Sequence, residues 1–271
     1  MADLIARIAG LWRYPVKSCA GEAVDALTLG ADGWPEGDRG WGIVDATGEL
    51  TWMGAHPRLA LVSAALTPAG LSLRAEGGSL TVPLDAGTAV AVRGWNGERQ
   101  DFDAIDAWDA GDEAAALLRT TTGEPLRLVR LSTEAQRRPM LNALHLVGDG
   151  SLQAWQEALV QPLAGLAQRA RPNVLLRGDD GEPLTPFIED LFSEARIGSL
   201  TLRRTSVCVR CVMPTVDPAT GVPQPVALEA LTQLSAERAP GAPVQFGVYA
   251  HGGGAGKLSV GDRVELTLDF A

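Results

Sequence analysis

Short apolar stretches separated by Gly, Pro, Asn and Asp fill the first hundred residues. This pattern is typical of short strands joined by tight turns. We predict strands at residues 4–14, 26–29, 41–44, 58–65, 71–75, 79–83 and 89–92. The segments DATGEL and AEGGSL are predicted hairpin turns, because glycine adopts the positive φ angles that such turns require. The first part of the chain is therefore predicted to be all-β.

Helical patterns begin after Ala107 and alternate with further strand-like segments. Asp109 is predicted to cap a helix that ends before Gly123, and Ser151 to cap a second helix over SLQAWQEALV. A third helix is predicted at residues 226–235. Strands are predicted at residues 126–131, 172–176, 200–207, 244–249 and 263–268. The whole chain is thus predicted to be a β-rich, mixed α+β protein of two parts that pack together.

The composition is that of a globular protein, since 46% of the 271 residues are hydrophobic and 21% are charged. The 33 acidic residues outnumber the 23 basic ones, and the net charge of −10 opposes binding to nucleic acid or anionic membranes. Apolar runs fall far short of the roughly 20 residues that cross a bilayer, so no membrane span is expected. With three cysteines and no visible export signal, we expect a cytoplasmic location.

The segment SVCVRCVMPTVDPATG contains two of those cysteines, Cys208 and Cys211. A structural zinc site takes four protein ligands, and the three histidines are dispersed singly at positions 56, 145 and 251. A thioredoxin-like redox pair needs a helix directly after the cysteines, which Pro214 and Pro218 prevent. The segment therefore lacks the further ligands of a structural zinc site and the helix of a thioredoxin-like redox pair.

Two other interpretations of this segment remain open. In one, two semi-buried cysteines pack as small hydrophobic side chains at the end of a rigid strand. In the other, Arg204 and Arg210 favour a thiolate, and a thiolate on a proline-braced loop suits a soft transition metal carried by a cofactor. The spacing of the cysteines does not decide between them.

Three further segments concentrate basic and polar side chains in an otherwise acidic chain. They are YPVKSCAG with Lys17 and Ser18, GDRGW with Arg39, and RARPN with Arg169, Arg171 and Asn173. Each lies at a predicted strand end or turn, where side chains from separate strands converge. Arg and Lys bind phosphate, and Ser and Asn complete its hydrogen bonds, so these segments form a candidate anion site. Salt bridges to the many acidic residues are the alternative.

Seven segments, in order along the chain, resemble the two-part form of the MOSC family. They are YPVKSCAG, GDRGWGIVDATGELT, GDGSL, RARPNVLL, FIEDLFSEARIGSLTL, CVRCVMPTVDPATG and FGVYAHG…GKLSVGDRVEL. The chain is similar to bacterial relatives of the mitochondrial amidoxime-reducing component and to the C-terminal domain of molybdenum cofactor sulfurase. The resemblance implies an N-terminal β-barrel domain at residues 1–120, packed against a MOSC β-barrel domain with flanking helices at residues 121–271.

The resemblance also implies a molybdenum cofactor, Mo-molybdopterin, with Cys211 as the thiolate ligand of the metal. The implied cofactor contacts are Lys17, Ser18, Arg39, Ser151, Arg171, Asn173 and Tyr249. Asp217 is a candidate catalytic residue that orients substrate or a proton, with a loop-capping Asx turn as the alternative. Cys208 is expected to support the loop rather than bind metal. Met53 lies near the position where relatives usually carry an arginine.

The implied reaction is the two-electron reduction of small N-hydroxylated substrates, such as amidoximes or N-hydroxylated bases. The chain shows no cysteine-rich ferredoxin segment after the MOSC region, so electrons are expected from a separate protein. That donor would be a reductase, a ferredoxin-like protein or a cytochrome b5-like protein. The alternative function is a non-catalytic carrier of the cofactor or of a persulfide on Cys211, and a third is a scaffold for another ligand or protein.

Overall fold

The structure, a computed structural model, describes residues 2–85, 87–137 and 143–270. Its strands are β1 (Leu4–Arg13), β2 (Glu22–Val24), β3 (Ala26–Leu29), β4 (Trp41–Val44), β5 (Ser63–Thr67), β6 (Gly70–Ala75), β7 (Gly78–Val82), β8 (Thr88–Asn96), β9 (Asp101–Asp109), β10 (Arg127–Leu131), β11 (Leu144–Gly148), β12 (Val174–Gly178), β13 (Phe192–Ile197), β14 (Leu200–Val209), β15 (Gln245–Gly252), β16 (Gly256–Ser259) and β17 (Arg263–Leu268). The β-rich, mixed architecture predicted from the sequence is confirmed.

Helices are few and short beside these strands. They are α1 (Asp112–Thr122), α2 (Thr133–Gln136), α3 (Asp149–Glu157), α4 (Leu166–Ala170) and α5 (Val226–Arg238), with 3-10 helices at Pro57–Leu61, Ile188–Leu191 and Met213–Thr215. None of the helices in the described ranges is both long and apolar enough to span a membrane.

Seven strands form a closed barrel in the order β12, β11, β15, β14, β13, β17, β1. The barrel closes because β1 pairs with β12 on one side and with β17 on the other. Strands β11 and β12 run parallel, and the other neighbours in the barrel run antiparallel. Buried apolar side chains from these strands, among them Ile8, Leu146, Phe192 and Val248, form the largest core.

Strand β1 contributes its buried face to this core through Ala6, Ile8 and Leu11, while Arg7 between them is exposed. Ala6 and Ile8 follow the period of two of a strand with one buried face, and a register shift between Ile8 and Gly10 brings Leu11 into the same core. Although β1 begins the chain, its barrel neighbours β12 and β17 come from the second half. The division into domains at residue 120 stays a prediction, and the sheets cross it.

The other two large sheets belong mainly to the first half of the chain. One has the order β4, β10, β9, β8, and the other the order β5, β6, β7. Helix α1 packs against β7 and β10, and its Ala114, Leu117 and Leu118 join a second core. The helix ends at Gly123, whose left-handed backbone (φ 80°) suits glycine because a Cβ is strained there.

The structure differs from the predicted strands at one 3-10 helix and at five strands that the prediction lacks. Residues 58–61, predicted as strand, lie in the 3-10 helix that begins at Pro57, because the proline ring holds φ at a value suited to a first helical turn. The five strands that the prediction lacks are β2, β9, β11, β13 and β16. The sequences of β9 and β13, DFDAIDAWD and FSEARI, carry charged residues at exposed or half-buried positions. Charge on the solvent side of a strand weakens its apolar signal.

Both predicted helix caps are wrong. Helix α1 is preceded by Gly111, and Asp109 instead accepts a hydrogen bond from the Gly111 backbone nitrogen (2.7 Å) and pairs with Arg127. Helix α3 begins at Asp149, so Ser151 lies within its first turn. In each case the predicted capping side chain instead contacts a residue distant in the sequence, Arg127 for Asp109 and Glu189 for Ser151. Such contacts cannot be predicted from the local sequence.

Ile8 and Ile5 offer a matched test of the β1 orientation, since Ile8 is fully buried and Ile5 only half-buried. Ile8→Ala is expected to lower the free energy of unfolding by about 2–5 kcal/mol, because it removes buried apolar surface and leaves a cavity. Ile5→Ala is expected to cost clearly less. Chemical denaturation of both variants measures the difference, and equal losses would contradict the orientation.

Candidate functional site

A cleft of about 640 Å³ lies where one end of the barrel meets the sheet that contains β8 and β9. Its walls come from the loops on either side of β4, from the β8–β9 hairpin and from the ends of barrel strands. Six of the predicted site residues line it, namely Lys17, Ser18, Arg39, Arg171, Cys211 and Tyr249. The structure thus brings together segments that lie far apart in the sequence.

Tyr14 organises the basic side of the cleft. Its buried ring lies against two guanidinium groups, with the Cζ of Arg171 at 4.3 Å and the Cζ of Arg39 at 5.1 Å from the ring centroid. Cations are attracted to the face of an aromatic ring at such distances. The Tyr14 hydroxyl donates to the Pro172 carbonyl (3.1 Å), and burial raises the pKa of Tyr14 to about 12. Sequence reasoning missed Tyr14, although it stands in the quoted segment YPVKSCAG.

Arg39 is held by two buried groups, Asp38 and Asn173. Its guanidinium forms an ion pair with Asp38, and its Nη1 donates to Asn173 Oδ1 (3.3 Å). Asn173 also accepts from the His145 backbone nitrogen and donates to the Trp12 carbonyl, both at 3.1 Å. Burial opposes the charge on Arg39, but the Asp38 carboxylate, together with Tyr14 and Tyr249, outweighs burial and raises the pKa of the guanidinium. Asn173 therefore positions Arg39 from behind the cleft.

Three of the cleft residues have a left-handed backbone, Ser18 (φ 71°), Arg39 (φ 52°) and Arg171 (φ 59°). In the described part of the chain, five non-glycine residues have a positive φ, so most of this strain lies at the candidate anion site. Such a conformation costs about 1–3 kcal/mol per residue and persists only where surrounding contacts maintain it. The backbone here is therefore held by the site rather than by local preference.

Ser18 presents a buried hydroxyl to the cleft. Its Oγ has no hydrogen-bond partner among the described residues, although the side chain is 3% exposed. Buried polar atoms are nearly always hydrogen-bonded, because an unmade bond is costly. Beside it, the Lys17 ammonium donates to the Thr51 carbonyl (3.3 Å). A ligand oxygen at Ser18 would satisfy the hydroxyl next to a positive charge.

Cys211 lies on the loop after β14, and this loop is braced by the buried Arg169. Arg169 donates through Nη1 to the carbonyls of Thr215 (3.0 Å) and Pro214 (3.3 Å). Through Nη2 it donates to Asp217 Oδ2 (2.9 Å). Arg169, predicted as part of the anion site, thus serves the loop instead. Its bracing presents the exposed Cys211 thiol to the cleft.

The Asp217 carboxylate is fully engaged in this loop. Oδ1 accepts from the backbone nitrogens of Ala219 and Thr220, both at 2.9 Å, and Oδ2 accepts from Arg169. Burial acts to raise the pKa of Asp217, but these hydrogen bonds outweigh it and lower the pKa. The Asx turn foreseen as the alternative is present, and Asp217 is not among the described side chains that line the cleft. Its catalytic role stays a prediction.

Cys208 is buried behind the cleft beside Arg210, His145 and Tyr249. Arg210 Nη1 donates to Cys208 Sγ at 3.1 Å. Burial alone would raise the pKa of the Cys208 thiol, but His145 and the Arg210 guanidinium outweigh it, and the pKa falls to about 5. At neutral pH Cys208 is therefore a thiolate and the counter-ion of Arg210. The lowered pKa of Cys208 supports the predicted effect of Arg210 on a thiolate, whereas Arg204 donates to the Asp190 carbonyl (2.6 Å). Sequence reasoning missed the role of His145.

The other two cysteines differ from Cys208 in their surroundings. Cys19 is buried in an apolar core, and burial raises the pKa of its thiol to about 12, whereas Cys211 is exposed. All three thiols are free of disulfide bonds. Within the described ranges, no three Cys, His, Asp or Glu side chains converge in a group that could hold a metal ion. The zinc interpretation therefore gains no support.

Ser151 lies apart from the cleft lining. It is fully buried, and its Oγ donates to Glu189 Oε2 (2.8 Å) and accepts from the Phe187 backbone nitrogen (2.7 Å). These bonds tie the start of α3 to the 3-10 helix Ile188–Leu191. The side-chain geometry therefore shows a structural role for Ser151, and the cofactor contact implied by the resemblance stays a prediction.

Two known family models match the chain, one in each of its two parts. The model of the MOSC N-terminal beta barrel domain matches residues 5–125, and the model of the MOSC domain matches residues 138–265. Together the two matches cover nearly the whole chain. The chain therefore belongs to the MOSC family, in its two-domain form, and the family predicted from the sequence is confirmed.

Curated relatives define its position within the family. Mitochondrial amidoxime-reducing component 1 of Homo sapiens is 29% identical over 97% of this chain and 83% of its own length. Mitochondrial amidoxime reducing component 2 of Bos taurus is 30% identical over 80% of this chain and 68% of its own length. Molybdenum cofactor sulfurase of Drosophila mojavensis is 28% identical over 90% of this chain, which spans 31% of that relative. Family and relatives support a function related to the molybdenum cofactor.

The ionisation of Cys208 is testable in Cys211→Ser protein. Because burial keeps Cys19 protonated, Cys208 should supply the thiolate absorbance in the ultraviolet at neutral pH. We expect this absorbance to disappear on acidification with a midpoint near pH 5. The double variant that also carries Cys208→Ser is the control and should show no transition. A midpoint near the ordinary thiol value of about 8.5 would contradict the ion pair with Arg210.

Proposed function

We propose that this protein binds the molybdenum cofactor and reduces N-hydroxylated compounds at a metal ligated by Cys211. One observation carries the proposal: an exposed thiol shares a cleft with the basic side chains of Lys17, Arg39, Arg171 and Arg210. Thiolates are preferred ligands of soft metals, and Arg and Lys bind phosphate. Similarity to amidoxime-reducing components supports the substrate class.

The cleft residues fit the anionic part of such a cofactor. The unpartnered Ser18 hydroxyl supplies a buried donor, and Lys17, Arg39 and Arg171 supply positive charge around it. These four side chains would hold the phosphate and pterin, and Tyr249 would complete the contacts from β15. A volume of about 640 Å³ also lies within the range of about 300–1,000 Å³ that is usual for ligand sites.

When bound, the cofactor supplies a two-electron redox centre that removes oxygen. In the overall reaction the N–O bond of an amidoxime breaks, two electrons and two protons are consumed, and an amidine and water are formed. Cys211 would hold the centre through its thiolate, and the Arg169 network would keep the loop in place. Asp217 would act near this centre through the same loop, as the resemblance implies.

Electrons would reach the site from a separate protein, of the reductase, ferredoxin-like or cytochrome b5-like kind. We place both proteins in the cytoplasm, a location with which the free thiols of this chain are compatible. A second candidate function is that of a non-catalytic carrier of the cofactor, or of a persulfide on Cys211. The similarity to molybdenum cofactor sulfurase and the exposure of the Cys211 thiol favour this candidate.

Metal content distinguishes Cys211 in the loop from Cys208 in β14. Cys211→Ser is expected to lose bound molybdenum, because a hydroxyl does not replace a soft thiolate ligand. Cys208→Ser is expected to retain most of it, because Cys208 is buried behind the cleft. Elemental analysis of the wild type and both variants, purified from a host that makes the cofactor, is the measurement. Equal molybdenum in the two variants would overturn the assignment of Cys211.

Turnover distinguishes the enzyme from the carrier. With a chemical reductant, molybdenum-loaded wild-type protein is expected to convert benzamidoxime to benzamidine over many cycles while its metal content stays constant. A carrier would instead release sulfur on treatment with cyanide and form no benzamidine. Product formation is followed by chromatography, with Cys211→Ser protein as the control. Loaded protein that forms no benzamidine would rule out the reductase proposal.

A further inference from the structure

We propose that the cleft binds aromatic amidines, the products of the proposed reaction, which combine a flat aromatic ring with a positively charged amidinium group. Trp95 would bind the ring and Asp45 the charged group. This inference deepens the proposed function, on which it rests for the identity of the reaction. It concerns the cleft residues that are contributed by the loop after β4 and by the β8–β9 hairpin.

An aromatic wall, consisting of Trp52, Trp95 and Phe102, forms this part of the cleft. Trp95 and Phe102 face each other across the hairpin, with ring centroids 5.2 Å apart in an edge-to-face arrangement. The Arg93 Cζ lies over the Phe102 ring, 5.3 Å from the ring centroid, whereas 49% of the Trp95 surface is exposed. Trp95 therefore offers the open aromatic surface, and a flat ring stacked on it would remove that surface from water.

Asp45 adds a negative charge to the same part of the cleft. Its Oδ1 accepts from the Thr47 backbone nitrogen (2.8 Å), the Thr47 hydroxyl (2.7 Å) and the Glu49 backbone nitrogen (3.1 Å). Burial acts to raise the pKa of Asp45, but these hydrogen bonds outweigh it and lower the pKa, so the carboxylate is ionised at neutral pH. The turn thus fixes Oδ1, and none of these hydrogen bonds uses Oδ2.

Glu49 shows why Asp45 rather than its neighbour is the recognising group. Glu49 also lines the cleft, but Arg93 forms an ion pair with it and neutralises its charge. No described arginine or lysine forms a salt bridge with Asp45. An amidinium group carries two parallel N–H donors, as a guanidinium does, and a carboxylate accepts them at short distance.

Binding of three small ligands, which involves no redox step, separates the contribution of Trp95 from that of Asp45. Benzamidine carries the ring and the charge, acetamidine only the charge, and benzamide only the ring. Binding to purified wild-type protein and to variants is measured by ligand-observed NMR or calorimetry. Trp95→Ala is expected to weaken benzamidine and benzamide by about threefold to tenfold and to leave acetamidine unchanged. Asp45→Asn is expected to weaken benzamidine and acetamidine to a similar extent and to leave benzamide unchanged.

The variants are chosen so that folding is preserved. Trp95 is half exposed, and an asparagine at position 45 keeps the side-chain oxygen that accepts the three turn hydrogen bonds. Trp95→Phe should restore most of the benzamide binding. Trp108→Ala, on the same hairpin but not among the cleft-lining side chains described, is the matched control and should leave all three affinities unchanged.

The outcomes separate this inference from the proposed function. If the two variants affect all three ligands equally, or none of them, the inference is overturned even where benzamidoxime is reduced. If the ligand pattern holds but loaded protein reduces no N-hydroxylated compound, binding of aromatic amidines by Trp95 and Asp45 stands and the proposed reaction fails. In active protein, Trp95→Ala should lower kcat/KM for benzamidoxime by about threefold to tenfold and leave that for acetamidoxime unchanged.

Discussion

Pairing of β1 with both β12 and β17 closes the barrel, and the candidate site is assembled at one end of that closure. Because β1 and β12 run antiparallel, the end of β1 lies beside the start of β12. Tyr14 follows β1 and Arg171 precedes β12, so the ring and the guanidinium come into contact. Strand β11 runs parallel to β12 and begins at the same end, which brings His145 there as well. Without this strand pairing the basic residues would have no common location.

Charges in this region are balanced by partners that mostly lie outside the cleft lining. Buried ions are tolerated when they are paired and hydrogen-bonded, and removal of one partner costs about 3–5 kcal/mol. The pairs here are Arg39 with Asp38, Arg169 with Asp217, and Arg210 with the Cys208 thiolate. Arg171 instead relies on the Tyr14 ring and on the Cys19 carbonyl, to which it donates at 2.7 Å. The shape of the cleft thus depends on residues that would never touch a ligand.

The cleft is lined by two sets of side chains that differ in chemistry. Basic side chains and the buried Ser18 hydroxyl form one set of cleft residues, whereas Trp95 and Asp45 lie on the hairpin and the loop of the other sheet. Cys211 belongs to the same cleft as both groups. A site of this kind can hold an anionic group with one set of side chains while a second set contacts a different molecule. The fold achieves this because the cleft lies at the meeting of two sheets that belong to different parts of the chain.

The sequence by itself determined the family, the β-rich class and the residues whose chemistry is rare in an acidic chain. Lys17, Arg39, Arg171 and Cys211 were found in this way, because cationic and thiol side chains at strand ends are informative even without a structure. Asn173 was found with the basic segments, and Ser151 and Asp217 through the resemblance to the family. None of the three is among the described residues that line the cleft, and each is engaged by hydrogen bonds within the protein.

Only the tertiary structure decided which neighbours set the charge and position of those groups. Tyr14 and Asp38 look like ordinary core and surface residues in the sequence, yet they hold two of the arginines. Trp95 was missed because the hairpin partner β9 has a weak apolar pattern. Local sequence specifies side-chain chemistry and strand periodicity, whereas burial, ion pairing and the pKa of a buried thiol such as Cys208 depend on groups that closure of the barrel brings from distant parts of the chain.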